Sequence, residues 1–209
     1  MPICYIVGAL PTTPLPQKQP GDLLIAADKG WEQLGGQSPD LVVGDFDSLG
    51  YVPQNVPILR HPVRKDDTDS LLAVREGLSR GYRQFVLLGA SGGRLDHTLA
   101  NIQVLLFLAE QGACGFLQGE RDCAAVVCGG TLRLRGGQGR VSVFALDRAV
   151  TGVILAGLDY PLDGAALTDS FPIGVSNAFL PGQEARITAE QGRLLVLWDG
   201  NWQQAQLTP

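Results

Sequence analysis

Leu41-Val42-Val43-Gly44-Asp45-Phe46-Asp47-Ser48 joins an apolar triplet directly to a glycine and two aspartates. Short apolar runs of this kind fill a buried parallel sheet, and in open α/β sheets ligands bind beyond the carboxyl ends of the strands. Gly44 permits close backbone approach, and Asp45 and Asp47 can offer hard oxygen ligands to Mg²⁺. A polar turn in which Asp47 or Ser48 caps the next segment is the plainer alternative, and a D-x-D by itself does not decide between the two.

The surrounding sequence supports the sheet. Residues 3–7, 23–27 and 84–88 are further short apolar runs, and helical periods lie between and after them. Residues 70–80 place Leu71, Val74 and Leu78 on one face and stop at Gly81. Residues 95–111 repeat the pattern at Leu95, Leu99, Ile102, Leu106 and Ala109 and stop at Gly112. Strand-helix alternation over residues 1–125 implies an α/β sheet with right-handed crossovers. From 126 to 209 no helical period survives. Residues 131–135 and 140–144 alternate strictly, and 184–188 and 193–198 read as two more strands. Turn signals fall at Gly136-Gly137, Asp163-Gly164, Gln191-Gly192 and Asp199-Gly200, so this half predicts a small antiparallel sandwich or barrel. Cys128-Gly129-Gly130 reads as the link between the halves, and the Pro-rich residues 11–20 as a surface loop.

Composition narrows the class. In 209 residues, 45% hydrophobic and 18% charged, the usage is globular rather than disordered. The longest apolar run, residues 104–109, is too short to cross a bilayer, and the N-terminus reads as a first strand rather than a leader. A soluble, cytoplasmic protein is expected. Cys4, Cys114, Cys123 and Cys128 form no C-x-x-C pair and read as buried free thiols, and two histidines, His61 and His97, make a zinc site a poor fit. A net charge of −5 without any basic run excludes a general nucleic-acid binder. Six aspartates concentrate in three short motifs, so the acidity is local, as a cation site requires.

The second motif, Lys65-Asp66-Asp67-Thr68-Asp69, immediately precedes a helix. Thr68 or Asp69 would serve as N-cap, but three acids exceed what capping needs, and the adjoining Lys65 suggests phosphate at the same place. The third, Gly89-Ala90-Ser91-Gly92-Gly93-Arg94-Leu95-Asp96-His97, comes after a strand and opens a helix. Its glycines bring backbone N–H groups toward an anion, Arg94 can fork onto phosphate oxygens, and Asp96 can be a metal ligand or a base. Neither the P-loop pattern nor G-x-G-x-x-G occurs. His97 reads as structural. Since like charges cannot gather without cations to neutralise them, the three motifs together point to phosphoryl transfer on carboxylate-held Mg²⁺.

Taken in order, these motifs resemble those of the thiamine pyrophosphokinase family: Asp28-Lys29-Gly30, then Pro39-Asp40 through Gly44-Asp45-Phe46-Asp47-Ser48, then Lys65 to Asp69, then Gly89 to His97, with Asn101 on the adjoining helix and Gly174-Val175-Ser176-Asn177 in the β-rich half. The resemblance covers almost the whole chain. It implies an N-terminal, mostly parallel, Rossmann-like α/β sheet (1–125) that binds nucleotide and Mg²⁺, and a C-terminal antiparallel β-sandwich (126–209) that binds thiamine. It further implies a homodimer with the thiamine site between subunits, and pyrophosphate transfer from ATP to the thiamine hydroxyethyl oxygen with release of AMP. On this reading Asp45, Asp47 and Asp69 hold metal, with Asp96 a further ligand or the base. Lys65 and Arg94 hold phosphate, Asp28, Thr68, Gly92 and Gly93 line the nucleotide site, and Ser176 and Asn177 face thiamine. Trp198 and Trp202 are candidates to cover the thiazolium, with core packing the stronger reading for Trp198. A pterin pyrophosphokinase, a nucleotide-sugar transferase and a non-enzymatic sensor are the rival readings.

Overall fold

A computed structural model of the chain describes residues 1–12, 14–61 and 67–208. It is a mixed α/β, sheet-rich fold that divides into two compact units. One comprises Met1–Leu108 with Leu117–Glu120, the other Ala109–Phe116 with Arg121–Pro209.

In the first unit the chain runs β1 (Cys4–Val7), β2 (Leu23–Ala27), a 3-10 helix (Asp28–Leu34), β3 (Leu41–Gly44), β4 (Ile58–Arg60), α1 (Asp69–Ser79), β5 (Gln84–Leu88) and α2 (Leu95–Glu110). The strands stand in the order β5-β1-β2-β3-β4, and every neighbouring pair is parallel. Their apolar runs are continuous because both faces are covered: Ile6, Leu24, Ile25, Val42, Val43, Val86 and Leu87 have no exposed surface. Each such side chain contributes about 1.5–3 kcal/mol of burial. Gly77 lets α1 approach the sheet, for a Cβ there would stand 2.6 Å from Phe85 Cε1 and 2.8 Å from Cys4 Sγ. Burial pushes the Cys4 thiol up to about 12, so it is inert. The chain moves outward from β1 through β2, β3 and β4, then returns to the other side of β1 at β5, which makes the β1/β5 crevice the topological switch point.

After β6 (Cys114–Gln118), the second unit contains β7 (Asp122–Leu134), β8 (Arg140–Ala145), β9 (Val150–Ala156), β10 (Leu162–Leu167), β11 (Asn177–Ala178), β12 (Ala185–Asp199) and β13 (Ala205–Thr208). Its pairings are antiparallel. Two expectations are corrected here. Residues 184–188 and 193–198 are not separate strands but one, β12, whose ladder with β7 is interrupted between Ala189 and Arg193. Likewise Cys128-Gly129-Gly130 is no linker, because it lies inside β7 directly opposite that interruption. Gly129 (φ 63°) and Gly192 (φ 86°) supply the left-handed residues of a paired bulge. There β12 changes its second partner from β9 to β8. The four thiols are all free, but only Cys4 and Cys123 are buried. Cys128 is exposed, since a strand beside a bulge turns alternate side chains outward.

Candidate functional site

Because β1 to β5 are parallel, their carboxyl ends share one edge, and all the N-terminal motifs leave the sheet there. Asp28 comes directly after β2. It is buried (7% exposed) with φ 44°, a conformation rare for a side-chain-bearing residue. Gly44, ending β3, admits it: a Cβ at Gly44 would stand 3.2 Å from both Asp28 Cα and Cβ. Beyond Gly44, Asp45 is buried and its Oδ1 accepts from Asp47 N at 3.1 Å, which fixes the turn. Phe46 is buried at φ 64°, so the D-x-D is held in strained backbone. Asp47 is exposed and accepts from the Ser48 hydroxyl at 3.1 Å.

Burial raises the Asp28 carboxyl above its ordinary range. The Ser48 hydroxyl acts in the opposite sense, and the charges of Asp69 and Asp45 raise it further. Asp45 and Asp69, from two other motifs, are therefore each within electrostatic reach of Asp28, and Asp28 Oδ1 has no hydrogen-bond partner among the described residues.

Lys65 and Asp66 lie outside the described residues. The remaining acids of that motif separate into different tasks. Thr68 is the N-cap of α1, its Oγ1 accepting from Leu71 N at 3.3 Å, so capping does not require Asp69. Asp67 pairs with Arg75 at 3.0 Å, and the Arg75 guanidinium also lies over the Phe107 ring at 5.7 Å. Asp69 is the acid of this motif that acts on Asp28.

The glycine loop sits at the switch point. Gly8 N donates to Leu88 O and Leu10 N to Gly89 O, at 2.8 and 3.0 Å. Gly89 (φ 60°) is obligatory, since a Cβ there would stand 2.3 Å from Leu10 O. Asn101 is buried and donates from Nδ2 to Ala90 O at 2.7 Å, pinning the loop to α2. Thr98 Oγ1 adds contacts to the Gly92 N–H and carbonyl. Gly92, Gly93, Arg94 and Asp96 are exposed. Arg94 and Asp96 form a two-bond pair at 3.1 and 2.5 Å, which lowers the Asp96 carboxyl and raises the guanidinium.

Among the described residues, no three His, Cys, Asp or Glu side chains stand close enough to cage a metal. The donor set nevertheless fits Mg²⁺. That ion takes one or two carboxylates and completes its shell with water and substrate phosphates, and a buried carboxylate oxygen lacking a partner is a suitable ligand.

In the second unit, Ser176 is exposed with φ 61°, its N–H donating to Ser142 Oγ at 3.0 Å. Asn177 is buried and turned onto the backbone. Its Oδ1 accepts from Tyr160 N and Ala178 N, and its Nδ2 donates to Tyr160 O, all at 2.8–2.9 Å. Asn177 thus holds the Tyr160 segment and leaves Ser176 as the presented polar group. Trp198 is a core residue, 1% exposed, packed edge-on to Phe116 at 6.4 Å. Trp202 lies tilted on the same Phe116 ring. Sequence reasoning passed over Tyr160 and Thr98, neither of which carried a signal, and read Ser48 as a capping candidate in the D-x-D-S motif rather than as a partner of Asp28 and Asp47.

Comparison with known proteins falls on the same two units. The family model described as "Thiamin pyrophosphokinase, catalytic domain" matches residues 18–114, and "Thiamin pyrophosphokinase, vitamin B1 binding domain" matches residues 132–194. A thiamine pyrophosphokinase of Bacillus subtilis is 26% identical, over 76% of this chain and 78% of its own length. Among solved structures, thiamine pyrophosphokinase from Bacillus subtilis superposes with a TM-score of 0.82 at 22% identity, covering 95% of this chain and 99% of that one. The enzyme from Geobacillus thermodenitrificans gives 0.81 at 24%, covering 97% and 99%, and yeast thiamin pyrophosphokinase 0.73 at 15%, covering 95% and 86%.

Proposed function

The chain belongs to the thiamin pyrophosphokinase family and transfers pyrophosphate from ATP to thiamine, giving thiamine diphosphate; within that activity we propose how its residues divide the work. The observation that carries the proposal is that Asp28 and Asp45 follow adjacent parallel strands at one sheet edge, with Asp69 at the start of α1 within electrostatic reach of Asp28. One or two of these carboxylates and Asp47 at a time would hold Mg²⁺, with water and substrate phosphates filling the rest of its shell, and the ion when bound would neutralise charge on phosphate oxygens. The glycine loop, in which Thr98 Oγ1 holds the Gly92 N–H, brings the Gly93 N–H and the start of α2 to the polyphosphate. The Arg94 guanidinium is exposed and can exchange Asp96 for phosphate oxygens. Pairing with Arg94 makes Asp96 a weak base, so we assign it to orienting Arg94 rather than to taking the hydroxyl proton. Lys65 is assigned to phosphate and Thr68 to positioning Asp69 through the α1 cap. The thiamine hydroxyl oxygen bonds to the β-phosphorus as the bond from that phosphorus to the α,β-bridging oxygen breaks; AMP leaves with that oxygen and the hydroxyl proton passes to solvent.

For the finer architecture we keep a Rossmann-like catalytic half and a β-sandwich half, where Ser176 meets thiamine. We assign the protein to the cytoplasm, as a homodimer. Exposed Leu95 and Leu99 on α2, and exposed Tyr160, Phe171, Ile173 and Val175 around the Ser176 motif, are the apolar surfaces a second copy would cover. Among the described residues no helix is long and apolar enough to cross a membrane. The metal assignment is tested by titrating Mg²⁺ into chelator-treated protein and following thiamine diphosphate formation. Absolute dependence on the cation, lost affinity for it in Asp45→Asn and an unchanged melting profile support the site. Turnover without divalent cation would remove it.

A further inference from the structure

Two buried side-chain polar atoms lack a hydrogen-bond partner among the described residues: Asp28 Oδ1 and His61 Nε2. They flank a single strand end. Asp28 comes after β2 and His61 after β4, on either side of β3 and its Gly44-Asp45 turn. The β3–β4 ladder ends at the rung Gly44↔Arg60, so Asp45 and His61 leave the sheet side by side, and His61 N donates to Gly44 O at 3.0 Å. The backbone of His61 is thereby fixed to the Gly44-Asp45 turn, while its buried ring nitrogen has no hydrogen-bond partner among the described residues. An unmade hydrogen bond on a buried polar atom destabilises a fold and calls for a cause.

We propose that His61 is a further substrate-contacting residue, its Nε2–H donating to a non-bridging oxygen of the nucleotide polyphosphate. The two unpartnered atoms are chemically complementary to a metal–phosphate pair: a carboxylate oxygen for the cation, an imidazole N–H for the anion. The neutral ring suffices, so the contact adds a directed donor without a second fixed charge beside the aspartates. The His61 contact rests on the pyrophosphokinase reading of the site.

The experiment compares wild type, His61→Leu and His61→Gln. Three readouts are taken: melting temperature alone, melting temperature with Mg·ATP and no thiamine, and steady-state AMP release with each substrate varied. Removing an unsatisfied buried polar atom should leave His61→Leu at least as stable as wild type without ligand. Its KM for ATP should rise about tenfold, the scale of one hydrogen bond to a charged group, while its KM for thiamine stays unchanged. The ATP-induced rise in melting temperature should shrink, and His61→Gln, which keeps a donor, should recover part of both effects. A His61→Leu protein that melts several degrees lower with an unchanged KM for ATP overturns the proposal in favour of a structural role. A change confined to thiamine overturns it also. Wild-type protein that is stabilised by Mg·ATP but releases no AMP with thiamine would sink the pyrophosphokinase reading instead, and the His61 contact would still be read from the ATP shift.

Discussion

Asp28 concentrates the strain of this site in one residue: left-handed backbone, burial, an oxygen with no partner among the described residues and two neighbouring carboxylates. Its folded-state pKa is raised, so between the ordinary carboxylate range and that raised value the folded protein binds more protons than the unfolded chain, and stability falls as pH rises through the window. Asp28→Asn keeps a side chain that tolerates positive φ and removes the charge. It should therefore melt about 2–4 °C higher at pH 7, converge on wild type in acid, and lose most activity. Thermal melts at several pH values check this, and a destabilised variant at pH 7 would contradict it. Asp69→Asn should abolish turnover with little effect on the melting temperature, since the cap of α1 belongs to Thr68. Thr68→Ala should show the other behaviour, losing about 1 kcal/mol of stability. A parallel loss of stability in Asp69→Asn would return that residue to a capping role.

At the scale of elements, the glycine loop is shaped by what holds it from behind. Asn101 donates its amide to Ala90 O from inside α2. Asn101→Ala leaves that buried carbonyl unpaired and should cost about 1–3 kcal/mol, with a raised KM for ATP because the loop N–H groups lose their aim. Denaturant melts and ATP kinetics measure the two separately. The same scale shows where the sequence could and could not be read. Residues 23–27 and 84–88 were legible as strands because both their faces are buried, which demands an unbroken apolar run. Gly129-Gly130 and Gln191-Gly192 were misread as link and turn, since a glycine pair in a bulge has the same local chemistry as one in a hairpin. Only the pairing of β7 with β12 across the interruption distinguishes them, and that is a non-local fact. Site residues divided likewise. The Asp45, Asp69 and Asp96 motifs announced themselves by local composition. Thr68 was legible as one of two cap candidates, and the bond to Leu71 decides between them. The tasks of Asp67 and Asn177, in contrast, depend on an ion pair with Arg75 and a clamp on Tyr160. His61 had no signal at all, because a single histidine after a strand acquires meaning only from the neighbouring strand end.

For the molecule as a whole, the two units give separable expectations. Trp198, buried against Phe116, should contribute core stability and no thiamine contact. Trp198→Phe should lower the melting temperature while leaving the KM for thiamine unchanged, whereas a selective rise in that KM would put the indole in the pocket. Every role assigned to the two units depends on one reaction. The most direct test is product analysis of the purified protein with ATP, Mg²⁺ and thiamine, resolving AMP from ADP. Thiamine-dependent AMP, formed in equal amount with thiamine diphosphate, is the predicted result. ADP with thiamine monophosphate would mean attack at the γ-phosphorus and contradict the pyrophosphoryl transfer assigned to this site.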